Sequence, residues 1–273
     1  MTAGELVLLF FGGCMGGLLA GLLGIGGGLI FVLIFTNYLS AVNAPEATMA
    51  HYIVANSMFA IFFAGISGSV KHYFNGNFYL RPVVISGVAA SATSLFTSYL
   101  ITSGTWYNKE VFALVFIAIT SYVAYQILSG RDTVRDDDRV EKSSLATFLI
   151  IGGLGGILAA LSGVGGGVIM VPMLVRMLHI NIKKATAISL GVITIMALAS
   201  TGYAMLGTPS EIQMPYAYGL IILPMVLPVA AGCVICSPFG VTLAKKIPHQ
   251  TIRVIFALFL VIVILNMIYK LWL

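Results

Sequence analysis

The chain has 273 residues, 59% hydrophobic and only 8% charged, with a mean hydropathy of +1.04. That much apolar surface cannot be hidden inside one water-soluble globule, so the chain is an integral membrane protein in contact with a lipid bilayer. A net charge of +5 would suggest a nucleic-acid partner in a soluble protein, but here the basic residues stand at the ends of apolar segments, where they act as topology signals and imply no nucleic acid.

Apolar segments cover residues 6–35, 49–69, 83–101, 111–128, 145–178, 185–206, 216–243 and 252–273. Their lengths suit helices, which need about 20 residues to span a bilayer, and not barrel strands of about 10 alternating residues. The first segment has no basic leader and runs far beyond a short signal core, so it is expected to stay in the protein. The first and fifth segments are too long for one upright span. Both carry a glycine run, Gly24-Ile25-Gly26-Gly27-Gly28 and Gly163-Val164-Gly165-Gly166-Gly167. Each glycine weakens a helix by about 1 kcal/mol relative to alanine, so the runs predict two helix breaks at membrane depth.

Farther along, Thr48 and His51 share a helix face in the second segment, followed by Asn56 and Ser57, and small residues in 86–92 favour close helix packing. Of the four histidines, His51 alone falls well inside a span. The sixth segment carries Thr186, Ser189 and Thr194. Pro224, Pro228 and Pro238 are expected to kink or interrupt the seventh. Cys14, Cys233 and Cys236 all lie in apolar sequence and read as packing residues, with no metal set and no disulfide framework. Glu46, Glu110 and Glu211 fall at segment ends, which argues against cation transport or proton coupling through a buried carboxylate.

The sequence repeats itself. Residues 17–30 align with 156–169 without a gap, Ala47-Thr48-Met-Ala-His51 aligns with Ala185-Thr186-Ala-Ile-Ser189, and residues 111–114 align with 255–258. The fold class expected is therefore all-α membrane protein, built as two inverted repeats. Each repeat has a glycine-broken segment, re-entrant or discontinuous, plus three transmembrane helices. The repeats occupy 1–130 and 144–273, joined by a charged cytoplasmic linker at 131–143. Charge supports the inversion. If all eight segments crossed, Lys and Arg would divide seven against seven. If the glycine-broken segments dip in and return, they divide twelve against two, as the positive-inside rule requires. Both termini then lie outside.

A helix that restarts inside a membrane presents unsatisfied N–H groups at a positive dipole end, a combination that binds anions. The candidate substrate-binding residues are thus Gly26, Gly27, Gly28, Gly165, Gly166 and Gly167 around one small cavity, with Thr48, His51, Thr186 and Ser189 contributing side chains. Asn56, Ser57 and Thr194 are possible lining groups. The glycine pattern is neither a dinucleotide fingerprint nor a phosphate-binding loop, because Leu29 stands where a third glycine belongs and no Gly-Lys-Ser/Thr follows.

The duplicated Gly-Leu-Leu-Gly-Ile-Gly-Gly-Gly and Leu-Ser-Gly-Val-Gly-Gly-Gly-Val-Ile-Met-Val-Pro172, each followed by Ala-Thr-x-x-His/Ser, resembles the TauE/SafE family of sulfite and organosulfonate exporters. The resemblance implies a multi-pass permease of the bacterial cytoplasmic membrane for a small sulfur-containing anion, and it places the family's glycine motifs on 24–28 and 163–167. The reading requires no cofactor and no catalytic residue, and it is compatible with an assembly of identical copies. Two alternatives compete: an importer of a related anion, and an intramembrane serine hydrolase using Ser162 and His51.

Overall fold

The computed structural model describes residues 3–104, 107, 109–129, 144–207 and 216–248, together with residues 250, 251, 254, 258, 261, 264 and 265. The charged linker at 131–143 lies outside these residues. The elements in order are α1 (Ala3–Leu23), α2 (Gly28–Ala41), α3 (Glu46–Phe74), α4 (Leu80–Ser103), α5 (Lys109–Ser129), α6 (Leu145–Ser162), α7 (Gly167–Leu178) and α8 (Ile182–Leu206). A two-stranded hairpin follows, β1 (Ala217–Tyr218) with β2 (Ile221–Ile222), and then α9 (Leu223–Lys246). The protein is an all-α membrane protein. Six described helices, α1, α3, α4, α6, α8 and α9, are long and apolar enough to cross a bilayer.

Both glycine runs end one helix and start another, and in both cases the chain folds back on itself. A Cβ on Gly12 would fall 2.3 Å from Ile34, and one on Gly16 would fall 2.1 Å from the ring of Phe31. Residues before the break therefore meet residues equally far beyond it, so α2 returns along α1. In the second half Gly155 meets Met170 in the same way, and α7 returns along α6. These segments are helical hairpins rather than single kinked helices.

The remaining contacts fix the helix directions. α1 runs parallel to α9, with Gly13, Gly17 and Gly21 against Val229, Cys233 and Ser237 in step, and α6 runs parallel to α4, with Gly152 and Gly156 against Ser86 and Ala90. α3 is parallel to α9, since Asn56 bonds Ile222 and Ser237 bonds Ala64. It is antiparallel to α8, since Gly65 meets Thr194 and Gly68 meets Leu190. α4 is parallel to α8, from Val83 against Gly191 up to Thr102 bonded to Tyr203. So α1, α3 and α9 run one way while α4, α6 and α8 run the other. The first helix of each half packs on the fourth helix-forming segment of the other half.

One end of the bundle gathers Lys71, Arg81, Arg176, Lys183, Lys184, Lys245 and Lys246, which terminate or begin α3, α4, α7, α8 and α9. Lys183 Nζ donates to the Lys245 carbonyl at 3.4 Å, and Lys184 lies 5.7 Å from the Tyr79 ring centre.

Three details differ from the sequence reading. The apolar run at 216–243 does not start as helix, because 216–222 turns over as a short β hairpin. Its three prolines do not interrupt α9 either. Pro224 occupies the first turn, where its missing amide is not needed, and Pro228 and Pro238 lie within a continuous helix. α3 also extends five residues past the expected end at 69, which buries His72 beside Lys245.

Candidate functional site

The two hairpin tips are built on left-handed glycines. Gly27 has φ +74° and Gly166 φ +65°, and each precedes the first residue of its returning helix. That conformation costs other residues roughly 1–2 kcal/mol. Space forbids a side chain as well: a Cβ would lie 2.3 Å from the Gly16 carbonyl oxygen at Gly27, and 2.5 Å from the Gly155 carbonyl oxygen at Gly166.

The tips touch. A Cβ on Gly28 would fall 2.3 Å from the Val164 carbonyl oxygen, and one on Gly167 would fall 2.7 Å from that of Gly24. Ile61 and Ile193 close over Gly26, at 3.1 and 3.3 Å from the same hypothetical atom. The crossing is thus a backbone-to-backbone contact. In the returning helices the first internal bonds are Ile30 and Phe31 amides to Gly27, and Ile169 and Met170 amides to Gly166. A helix leaves its first-turn amides to partners outside it, and that of Gly167 donates to the Gly165 carbonyl at 2.6 Å.

Ser189, fully buried, donates to the Gly24 carbonyl at 2.8 Å, and the Tyr107 hydroxyl donates to the Leu161 carbonyl, so each broken helix has its last turn capped by a residue from elsewhere. Burial raises the Tyr107 phenol well above its ordinary range, which keeps it a donor. Thr186 packs its backbone on Gly24 and donates to its own helix, at Lys183. Thr48 donates weakly to Pro45 at 3.4 Å, and Thr194 donates to Leu190 beside Ser69. Asn56 is committed to Tyr52, Leu220 and Ile222, while the Ser57 hydroxyl is buried without a hydrogen-bond partner among the described residues.

His51 stands apart from these. It borders a cavity of about 40 Å³ between α3, α4 and α8, next to the tip of α6, where Val54 meets Gly163 and Ala160 contributes to the wall. The other polar residues there are Ser94, Ser98, Thr102, Tyr107, Ser200 and Tyr203. Ser94 pairs with Ser200 and Thr102 with Tyr203, both at 2.9 Å. The His51 ring meets Tyr107 edge-on at 6.0 Å, and its Nδ1 is buried without a partner. Sequence reasoning found His51 and missed the hydroxyls facing it. Their signal was present, since Ser94, Ser98 and Thr102 recur every fourth residue and so share one face of α4. Ser162, by contrast, donates to Leu158 and accepts from the Val164 amide, which leaves it occupied in ending α6.

Touching glycine-tipped hairpins, within a bundle of helices apolar enough to cross a bilayer and beside a small polar cavity, fit the class of multi-pass membrane transporters. Comparison with known proteins gives the particular kind: the chain belongs to the sulfite exporter TauE/SafE family, which it matches over residues 9–267. It is 31% identical over 271 residues to a probable membrane transporter protein of Haemophilus influenzae, covering 94% of this chain and 96% of that one. It is 27% identical over 252 residues to a probable membrane transporter protein of Methanocaldococcus jannaschii, covering 91% and 90% respectively.

Proposed function

We propose that this transporter is a permease of the cytoplasmic membrane that exports a small sulfur-containing anion, sulfite or a C2 or C3 organosulfonate. It works by alternating access between two inverted repeats, 1–130 and 144–273, with the linker 131–143 in the cytoplasm. The observation that carries this reading is the crossing of the two glycine tips. Gly28 meets Val164, and Gly167 meets Gly24 and Ile25, on hairpins whose first helices, α1 and α6, run in opposite directions. Helix N-termini there offer amides and a positive dipole end to an anion. Thr186 and Ser189 beside Gly24, and Thr48 and His51 on α3, supply the side chains.

Such a site holds dispersed negative charge without a buried cation that would trap it. An inside-negative potential then drives an anion outward by about 2.3 kcal/mol per charge per 100 mV, so export needs no coupling carboxylate. Proteoliposomes containing the protein and loaded with sulfite or sulfoacetate are expected to release the anion well above the rate of protein-free vesicles. Retention of every small anion by vesicles holding folded protein would overturn the reading.

A further inference from the structure

The cavity beside His51 has a closed twin. In the duplication His51 corresponds to Ser189, and the neighbours Val54 and Met58 correspond to Val192 and Met196. α9 stands to α1 as α4 stands to α6: Val229 lies on Gly13 and Ser86 on Gly152, which puts Ser237 in the place of Ser94. The two places differ. Around Ser94 there is a cavity of about 40 Å³. Around Ser237 everything is shut: Ser189 donates to Gly24 and Ser237 donates to Ala64, each at 2.8 Å, and both serines are fully buried. A Cβ on Gly21 would there fall 2.1 Å from the Ser237 carbonyl oxygen.

We propose that the cavity walled by His51, Ser94, Ser98, Thr102, Ser200 and Tyr203 is the anion-binding site open toward the face opposite the lysines, and that the Ser189–Ser237 region is its counterpart, closed in this conformation. This rests on the permease reading and, in this conformation, seats the anion beside the glycine tips, in a cavity that shares His51 with the residues named above. Alternating access between repeats has one side open while its equivalent is shut, and the two places differ in that way. The size fits: at about 10–15 Å³ for each water-sized place, the cavity has room for about three oxygens, the number a sulfite carries.

The chemistry fits as well. Among the described lining residues there is no carboxylate to repel an anion and no lysine or arginine to hold it. The hydroxyls rotate to donate, and the buried Nδ1 of His51 has no hydrogen-bond partner among the described residues. Left so, a buried polar atom is destabilising, and a bound oxyanion would satisfy it when that nitrogen carries the proton. Tyr107 packs on His51 while bonded to Leu161, which ties the cavity to the tip of α6.

The test is sulfite-dependent thermal stabilisation of the purified full-length protein in detergent, run alongside vesicle efflux. Sulfite is expected to raise the wild-type melting temperature. Ser98→Leu, which fills the cavity, should abolish the shift, and His51→Gln should weaken the apparent affinity about tenfold or more. Ser98→Ala, which removes one hydroxyl and no packing of consequence, should weaken it about threefold and keeps the test informative where the leucine variant does not fold. No wild-type shift with sulfite or sulfoacetate, or an unchanged dose dependence in the His51 and Ser98 variants, overturns the site even where vesicles still release anion. The expected pattern of shifts with no efflux would leave the site standing as an anion site and overturn the permease reading instead.

Discussion

Asn56 illustrates what a polar side chain at membrane depth does when it is not part of a transport path. Its amide donates to the Leu220 carbonyl at 2.9 Å, and its oxygen accepts from the Ile222 amide at 2.9 Å, so one side chain completes the backbone of the β hairpin that leads into α9. Asn56→Leu would leave both groups buried and unbonded, at about 1–3 kcal/mol each. We expect a melting temperature lowered by many degrees, whether or not anion is present; a variant that melts like the parent would remove this role. The glycines make a complementary case. Gly27→Ala must hold a left-handed residue against the Gly16 carbonyl and is expected to unfold the first hairpin. Gly202→Ala, within α8 and with nothing within 4 Å of its Cβ, should melt at or slightly above the parent temperature. Equal melting of the two variants would show that the tips tolerate side chains. The glycines were legible in the sequence because only backbone demands explain such runs in apolar helix. Asn56 was not, because its partners lie more than 160 residues away and no local pattern announces them.

At the scale of elements, hydropathy located the helices and the duplication located the breaks, but neither said how the halves interlock. Small residues at a spacing of four, Gly13, Gly17 and Gly21 on α1, let that helix lie directly on α9, and Gly152 and Gly156 do the same for α6 on α4. From sequence these glycines look like generic packing residues; only the structure shows that each faces the opposite half. The contact is chemically addressable, since Cys14 on α1 and Cys236 on α9 are neighbours and both are free thiols. A protein carrying a protease site in the 131–143 stretch, oxidised and then cleaved, is expected to run as one linked species without reductant and as two fragments with it. Cys236→Ser should give two fragments in both lanes. Two fragments from the oxidised parent would mean that α1 and α9 are not paired at this register.

For the whole molecule, the question is which end of the bundle faces the cytoplasm. Seven described lysines and arginines collect at one end, where α3, α7 and α9 finish and α4 and α8 begin, while Lys109 starts α5 near the other end, beyond the finish of α4. Each basic residue carried across the bilayer during insertion would be opposed, so the crowded end stays inside. The cavity beside His51, walled by the last turns of α4 and α8, is then expected to face outward, the release side on the proposed export reading. Two positions test this directly. Tyr218 is 65% exposed in the β hairpin at one end, and Gln250 is exposed just past α9 at the other. With cysteine at either position, a membrane-impermeant maleimide applied to intact cells is expected to label the Tyr218→Cys protein at once and the Gln250→Cys protein only after lysis. The three native cysteines lie within α1 and α9, and the parent protein measures their contribution. The reverse labelling order would turn the bundle over. The cavity would then face the cytoplasm, and seven basic residues would have been carried across the bilayer against the positive-inside rule.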